Sequence, residues 1–96
     1  MTQIIGEFQT ENGAKYITQL CKHFSHKVET EVDGNTGWAK LPTGLATMEA
    51  AAQKLTITLD VIDPTKADLA KHIIDSHLVT FAFREKFENM MWQAES

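Results

Sequence analysis

Within residues 55–62, Leu55, Ile57, Leu59 and Val61 alternate with the polar residues Thr56, Thr58 and Asp60. This alternation predicts a β-strand with one buried and one solvated face. Weaker patterns predict five further strands, over residues 3–10, 28–33, 37–41, 45–51 and 86–92. Glycine, asparagine and proline separate several of these segments, as tight turns require.

Two other segments carry apolar residues at helical spacing. Within residues 11–26 the apolar positions recur at i, i+3, i+4 and i+7, and Thr10 or Asn12 supplies an N-cap. A second helix begins at Asp63-Pro64, an N-cap followed by proline, and extends to about residue 80. The two predicted apolar stripes are Ile17, Leu20, Cys21 and Phe24 in the first helix, and Ala70, Ile73, Ile74, Leu78 and Phe81 in the second.

The predicted element order is therefore β-α-β-β-β-β-α-β. We expect an α+β fold of two layers, a mostly antiparallel sheet with two helices on one face, because that arrangement buries both helical stripes. The absence of any linker or repeat predicts a single domain over residues 1–96.

Composition narrows the class of partner. Nine Lys and Arg against 13 Asp and Glu leave a net charge of −4, and Arg84 is the only arginine. This balance disfavours nucleic acids and anionic membrane surfaces, and no apolar run is long enough to span a membrane. Residues 1–7 do not resemble a secretory signal, and the lone Cys21 cannot form an internal disulfide. We therefore expect a cytoplasmic protein that needs no cofactor to fold.

The segment from Cys21 to Lys27 concentrates a thiol and two imidazoles. At helical geometry Cys21 and His23 point about 160° apart, so they cannot share one metal ion. His23 and His26 face the same way. They either serve as cations that complement the helix dipole or bind a metal or ligand. Cys21 shares the apolar stripe, which predicts a buried and unreactive thiol.

His77 lies in the middle of the second apolar stripe. It is either a neutral core histidine bonded to a carbonyl or a ligand at the bottom of a pocket. Arg84 and Glu85 follow the second helix, and Arg84 suits either a surface ion pair or a carboxylate or phosphate on a ligand.

Three carboxylates, Glu29, Glu31 and Asp33, alternate along one predicted strand. Their spacing of about 6.6 Å is wide for one ion, so we interpret them as a solvated face. The chain has no phosphate-binding glycine loop, paired Cys-x-x-Cys, His-Glu-x-x-His or Gly-x-Ser-x-Gly. We assign no catalytic residue, and an enzyme is disfavoured without being excluded.

Two segments, Tyr16 to Lys27 and His77 to Glu85, resemble an uncharacterised bacterial family, the domain of unknown function 2218. The resemblance extends over essentially the whole chain. It implies no established activity, but some members of the family look attached to, or associated with, siderophore-interacting flavoproteins, an association that implies iron handling. This chain carries no flavin or nicotinamide domain.

We therefore expect a small binding or accessory domain, linked to iron or siderophore handling. The alternatives are a protein-interaction or homodimerisation module and, third, a histidine-dependent enzyme. The expected site lies where the helix ends meet the sheet, provided that its members converge. Its candidate members are His23, His26, His77, Arg84 and Glu85, and the three histidines are also the metal candidates.

Overall fold

The computed structural model describes residues 2–93, which form a six-stranded sheet and two α-helices. The strands are β1 (Thr2–Gln9), β2 (Thr30–Asp33), β3 (Thr36–Leu41), β4 (Gly44–Ala50), β5 (Lys54–Val61) and β6 (Met91–Gln93). The helices are α1 (Gly13–Phe24) and α2 (Ala67–Phe81). The strands lie in the order β2-β3-β4-β5-β1-β6 and every neighbouring pair is antiparallel. The predicted α+β class and element order are confirmed.

The central strand β5 supplies the floor of the core. Leu55, Ile57, Leu59 and Val61 are at most 2% exposed. The register pairs Ile4 with Leu59 and Met48 with Ile57, so the inward positions of β1 and β4 extend the same apolar surface. Two helices cover that surface, because each carries a single apolar stripe that only the sheet can bury.

Helix α1 lies close to β3 because Gly37 has no side chain. A Cβ at Gly37 would be 2.7 Å from Cγ2 of Ile17. The predicted stripe of α1 is buried, but the helix ends at Phe24 instead of residue 26. The amides of Lys27 and Val28 both donate to the Phe24 carbonyl, at 3.0 and 2.9 Å. This turn lets Val28 pack against the core instead of continuing the helix.

Helix α2 begins later than predicted. The Asp63 carboxylate accepts a bond from the Thr65 amide at 3.0 Å, as an N-cap should, but it caps a 3-10 turn over Pro64–Lys66 that precedes the helix. The buried side chains of α2 are Ala70, Ile74 and Leu78. Within residues 2–93 neither helix has the length and apolarity that a membrane crossing requires.

The two edge strands are shorter than predicted. Strand β2 begins at Thr30 instead of residue 28, and its inward Val32 is 41% exposed because it lies at the margin of the sheet. The last strand begins at Met91 instead of residue 86. The Asp75 carboxylate on α2 accepts bonds from the Met90 amide at 3.0 Å and from Trp92 Nε1 at 2.9 Å. These bonds attach β6 and the residue before it to α2.

Candidate functional site

A cavity of about 420 Å³ lies where the C-terminal end of α1, the middle of α2 and the β3–β4 turn meet. Its walls are mainly apolar, and its polar members are three imidazoles and one amine. The lining residues are Phe24, Val28, Leu41, Pro42 and Ile73, together with His23, His26, Lys27 and His77. The side chains of His23, His26 and Lys27 are exposed, so the polar side of the cavity faces solvent.

The last turn of α1 and the middle of α2 bring two of the predicted histidines together. The ring centres of His23 and His77 lie 4.5 Å apart, with the ring planes inclined at 57°. Phe24 meets His77 edge-on at 5.0 Å and closes the inner side of the pair. His26 lies beyond the end of α1, yet it lines the same cavity.

A backbone carbonyl determines which nitrogen of His77 is available. Nδ1 of His77 lies 2.5 Å from the carbonyl oxygen of Ile73, one turn earlier on α2. Because a carbonyl oxygen only accepts, Nδ1 carries the proton and donates. Nε2 therefore has a free lone pair in the neutral ring. Histidines that bind metals are commonly oriented by such a bond.

The surroundings of His23 favour its neutral form. Partial burial of the ring lowers the pKa of His23 below its usual value, and the neighbouring His77, His26 and Lys27 lower it further. Burial disfavours the charged imidazolium, and nearby positive charges repel it. At neutral pH His23 is therefore able to accept a hydrogen bond or to bind a metal ion.

Arg84 and Glu85 lie elsewhere. Neither lines the cavity. The Arg84 guanidinium lies 5.7 Å from the ring centre of Phe83. The structure thus brings His23, His26 and His77 to one cavity and leaves the predicted Arg84 and Glu85 outside it.

Glu85 closes the opposite end of the helical layer. Its carboxylate accepts bonds from Thr10 Oγ1 at 3.0 Å, from Asn12 Nδ2 at 3.3 Å and from the Tyr16 hydroxyl. Partial desolvation acts to raise the pKa of Glu85, but these three donors hold it below its ordinary value. Burial, followed by the bond to Glu85, raises the pKa of Tyr16 to about 12.

A family model described as "Uncharacterized protein conserved in bacteria (DUF2218)" matches residues 6–93. The chain belongs to the DUF2218 family. It is also similar to a solved structure, "NMR structure of PA4090 from Pseudomonas aeruginosa", with 28% identity, 100% of each chain covered and a TM-score of 0.80. A comparison with curated proteins finds no match. The family description names no activity, so the function of this DUF2218 chain has to be argued from the cavity.

Cys21 belongs to the core of this DUF2218 domain. It is 3% exposed, and its thiol lies 3.7 Å from the Glu31 carbonyl oxygen. Burial raises the pKa of the Cys21 thiol, and a backbone hydrogen bond at Trp38 opposes this rise without cancelling it. The predicted burial is confirmed, and the low reactivity that should follow from it stays a prediction.

The acidic strand and the histidines form no three-residue metal centre. Within residues 2–93, no three side chains among His, Cys, Asp and Glu lie close enough together to hold an ion. Glu29, just before β2, pairs with the Lys40 ammonium at 3.3 Å, and Glu31 on β2 accepts a bond from Trp38 Nε1 at 3.3 Å.

Four lining residues of the cavity carry no sequence signal for a site: Lys27, Val28, Leu41 and Pro42. Pro42 was expected only as a turn residue and Val28 as a strand residue. No local pattern assigns them to a site, because the β3–β4 turn reaches the cavity only after the sheet forms and α1 ends early.

Proposed function

We propose that this DUF2218 domain binds a small organic ligand in the histidine cavity and acts as a binding or accessory domain in the cytoplasm, without catalysing a reaction. The supporting observation is the combination of apolar walls with imidazole and amine groups at one solvent-facing side. Concave, mainly apolar sites with a few convergent polar groups are typical of small-molecule binding, and their volumes are commonly about 300–1,000 Å³.

The lining selects the chemistry of the ligand. Phe24, Leu41 and Ile73 favour an apolar body, and a volume of about 420 Å³ accommodates one or two aromatic rings. Lys27 supplies a positive charge beside the imidazoles. A carboxylate would be neutralised there, because charge-assisted hydrogen bonds are stronger than neutral ones. We therefore expect an aromatic acid.

The finer form of the proposal links this acid to iron. A hydroxylated aromatic acid such as 2,3-dihydroxybenzoate combines an apolar ring with oxygen donors for ferric iron. The association of some family members with siderophore-interacting flavoproteins favours such a ligand. The iron-linked form predicts that the ferric complex binds more tightly than the free acid.

NMR titration of the ¹⁵N-labelled protein with 2,3-dihydroxybenzoate tests the proposal. Shift changes should concentrate at Phe24, Val28 and Ile73. Val28→Trp fills the cavity and should abolish binding, whereas Val32→Trp adds the same ring at the exposed sheet margin and should leave binding unchanged. Shift changes spread over the whole surface, or equal binding by both variants, would contradict the proposal.

Two comparisons then test the charge and the iron. Lys27→Ala should weaken binding of benzoate but not of the uncharged benzamide, and the exposed Lys22→Ala on the same helix end is its matched control. Calorimetry with free and ferric 2,3-dihydroxybenzoate separates the two forms of the proposal. Equal affinities would leave the aromatic-acid site and remove the iron link.

The outer face of the sheet supports a second candidate, a protein-interaction module. No helix of residues 2–93 covers this face. It carries six carboxylates and two lysines, so its net charge is −4, the same as the net charge of the whole chain. By strand register these residues are Glu7, Glu29, Glu31, Asp33, Glu49 and Asp60, with Lys40 and Lys54.

This charge favours a partner with a basic surface. Two copies of the face would repel each other, which disfavours a homodimer formed through it. Decalysine is a suitable probe. Glu31→Lys should weaken its binding more than Glu11→Lys, because both variants change the net charge equally but only Glu31 lies on the outer face. Equal weakening would contradict a specific surface.

A further inference from the structure

We propose that His23 and His77 form a pair of imidazole ligands for one transition-metal ion that arrives with its own chelating molecule. The inference deepens the proposed function and rests on it, since the cavity must admit the organic part of the chelate. It names the ligand class more narrowly, as a metal complex with two open positions.

The spacing of the two rings carries the inference. Two imidazoles that bind one ion at about 2.0–2.1 Å, with their metal–nitrogen bonds at about 90° as in octahedral or square-planar sites, hold their ring centres about 4.5 Å apart. The ring centres of His23 and His77 lie 4.5 Å apart. The rings are inclined at 57°, so they are not stacked face to face. His23 is exposed, and its ring can turn without disturbing the core.

The tautomer and the fixed position of His77 also support the pair. The Ile73 carbonyl engages Nδ1 of His77, which leaves Nε2 as the ligating atom. His77 is half-buried on α2 and packed against Phe24, so its position is defined before any ion binds. Pre-organised ligands lose less conformational entropy on binding.

The number of protein ligands determines what kind of ion complex fits. No third His, Cys, Asp or Glu within residues 2–93 completes a cluster around the pair. An ion held by two imidazoles therefore needs further donors from the molecule that brings it. Imidazole suits copper, nickel, zinc and iron, and the adjoining apolar walls of Phe24 and Ile73 suit the organic part of a chelate.

His26 and His72 provide comparisons within the same chain. His26 lines the cavity from beyond the end of α1, and the inference assigns no metal bond to it. His72 is exposed on α2 and does not line the cavity. A metal complex that simply prefers accessible imidazoles would bind these two at least as well as His77.

Nickel(II) nitrilotriacetate tests the pair, because the chelator leaves two neighbouring positions open on a paramagnetic ion. In the unmodified ¹⁵N-labelled protein, added complex should broaden the imidazole signals of His23 and His77 first. His23→Ala and His77→Ala should each weaken binding at least about 10-fold, the loss that even an outer-shell substitution at a metal site produces. His72→Ala should leave the affinity unchanged.

The inference fails if the signals of His26 or His72 broaden first, or if His77→Ala binds as tightly as the unmodified protein. The broadening pattern needs no variant, so a poorly folded His77→Ala would not prevent a decision. Metal-free 2,3-dihydroxybenzoate separates the two proposals. If the acid binds in the cavity and the nickel complex does not, only the imidazole pair is wrong; if neither binds, the proposed function also fails.

Discussion

The two ends of the helical layer differ in how their polar groups are used. At one end Thr10, Asn12 and Tyr16 all donate to Glu85, and the carboxylate joins β1, α1 and the segment after α2. At the other end His23 and His77 face a cavity of about 420 Å³ whose walls are mainly apolar. One end connects three parts of the fold, and the other presents imidazoles to a space that a ligand can fill. We infer that the Glu85 end serves stability and the histidine end serves binding.

The largest expected effect comes from the core that both ends share. Leu20 lies between Tyr16 and His23 on α1 and is 0% exposed. Leu20→Ala should lower the free energy of unfolding by about 2–5 kcal/mol, because it removes buried methyl groups and leaves a cavity. Urea denaturation measures this loss. Lys15→Ala, an exposed change on the same helix, should stay within about 0.5 kcal/mol. Similar losses in both variants would mean that α1 does not present the assigned face to the sheet.

At the Glu85 end, Tyr16→Phe should lower the free energy of unfolding by about 1 kcal/mol. The variant keeps the buried ring and removes only the hydroxyl that donates to Glu85. Glu85 is exposed, so water replaces part of the lost bond and the cost stays below the usual range for a hydrogen bond to a charged group. Urea denaturation of the unmodified and variant proteins gives the difference. An unchanged stability would remove the structural role that the comparison gives to this end.

The same network predicts a pH dependence. The pKa of Glu85 is lower in the folded protein than its ordinary value of 4.5. As the pH falls, Glu85 is protonated first in the unfolded chain, because its pKa is higher there. The stabilisation that ionised Glu85 gives the folded protein above the unfolded pKa is therefore lost as the pH falls through the folded pKa. Stability measured from pH 6 downwards should fall less steeply in Glu85→Gln. Identical slopes would show that Glu85 carries no such linkage.

The smallest change in stability is expected at the histidine end. His23→Ala should alter the free energy of unfolding by no more than about 0.5 kcal/mol, because the side chain is exposed. The same variant should lose binding of the nickel complex. Thermal unfolding checks the first expectation and calorimetry the second. A large loss of stability would mean that the histidine end also stabilises the fold, which would contradict the contrast with the Glu85 end.

Local sequence patterns predict some features of the two ends of the helical layer and not others. The phases of both helices follow from local periodicity, so the burial of Leu20, Cys21 and Ile74 was predicted and is observed. His23 is a sequence candidate because it pairs with His26 near the end of the first helix, and His77 because it lies in the middle of the second apolar stripe. Their contact joins residues 54 positions apart, and no local spacing encodes it.

The predicted grouping of Arg84 and Glu85 with the histidines shows the opposite case. These residues follow His77 closely along the chain, but α2 continues to Phe81 and carries them towards the start of α1. The bond between Glu85 and Tyr16 then draws this segment to the far end of the layer. Arg84 and Glu85 are thus close to His77 in sequence, but the last turn of α2 and the bond to Tyr16 separate them from it in the structure.

The sequence by itself determined the element order, the buried face of β5 and the stripes of both helices, because these depend on periods of 2 and 3.6 residues that neighbouring positions define. Only the tertiary structure decided which strand lies beside which, where the edge strands begin and which end of the helical layer is open. These features depend on contacts between distant segments. Gly37 lets α1 approach β3, Asp75 holds the last strand segment, and Phe24 ends the helix where Val28 turns into the core. The histidine cavity likewise depends on three distant segments, because it lies where the end of α1, the middle of α2 and the β3–β4 turn meet.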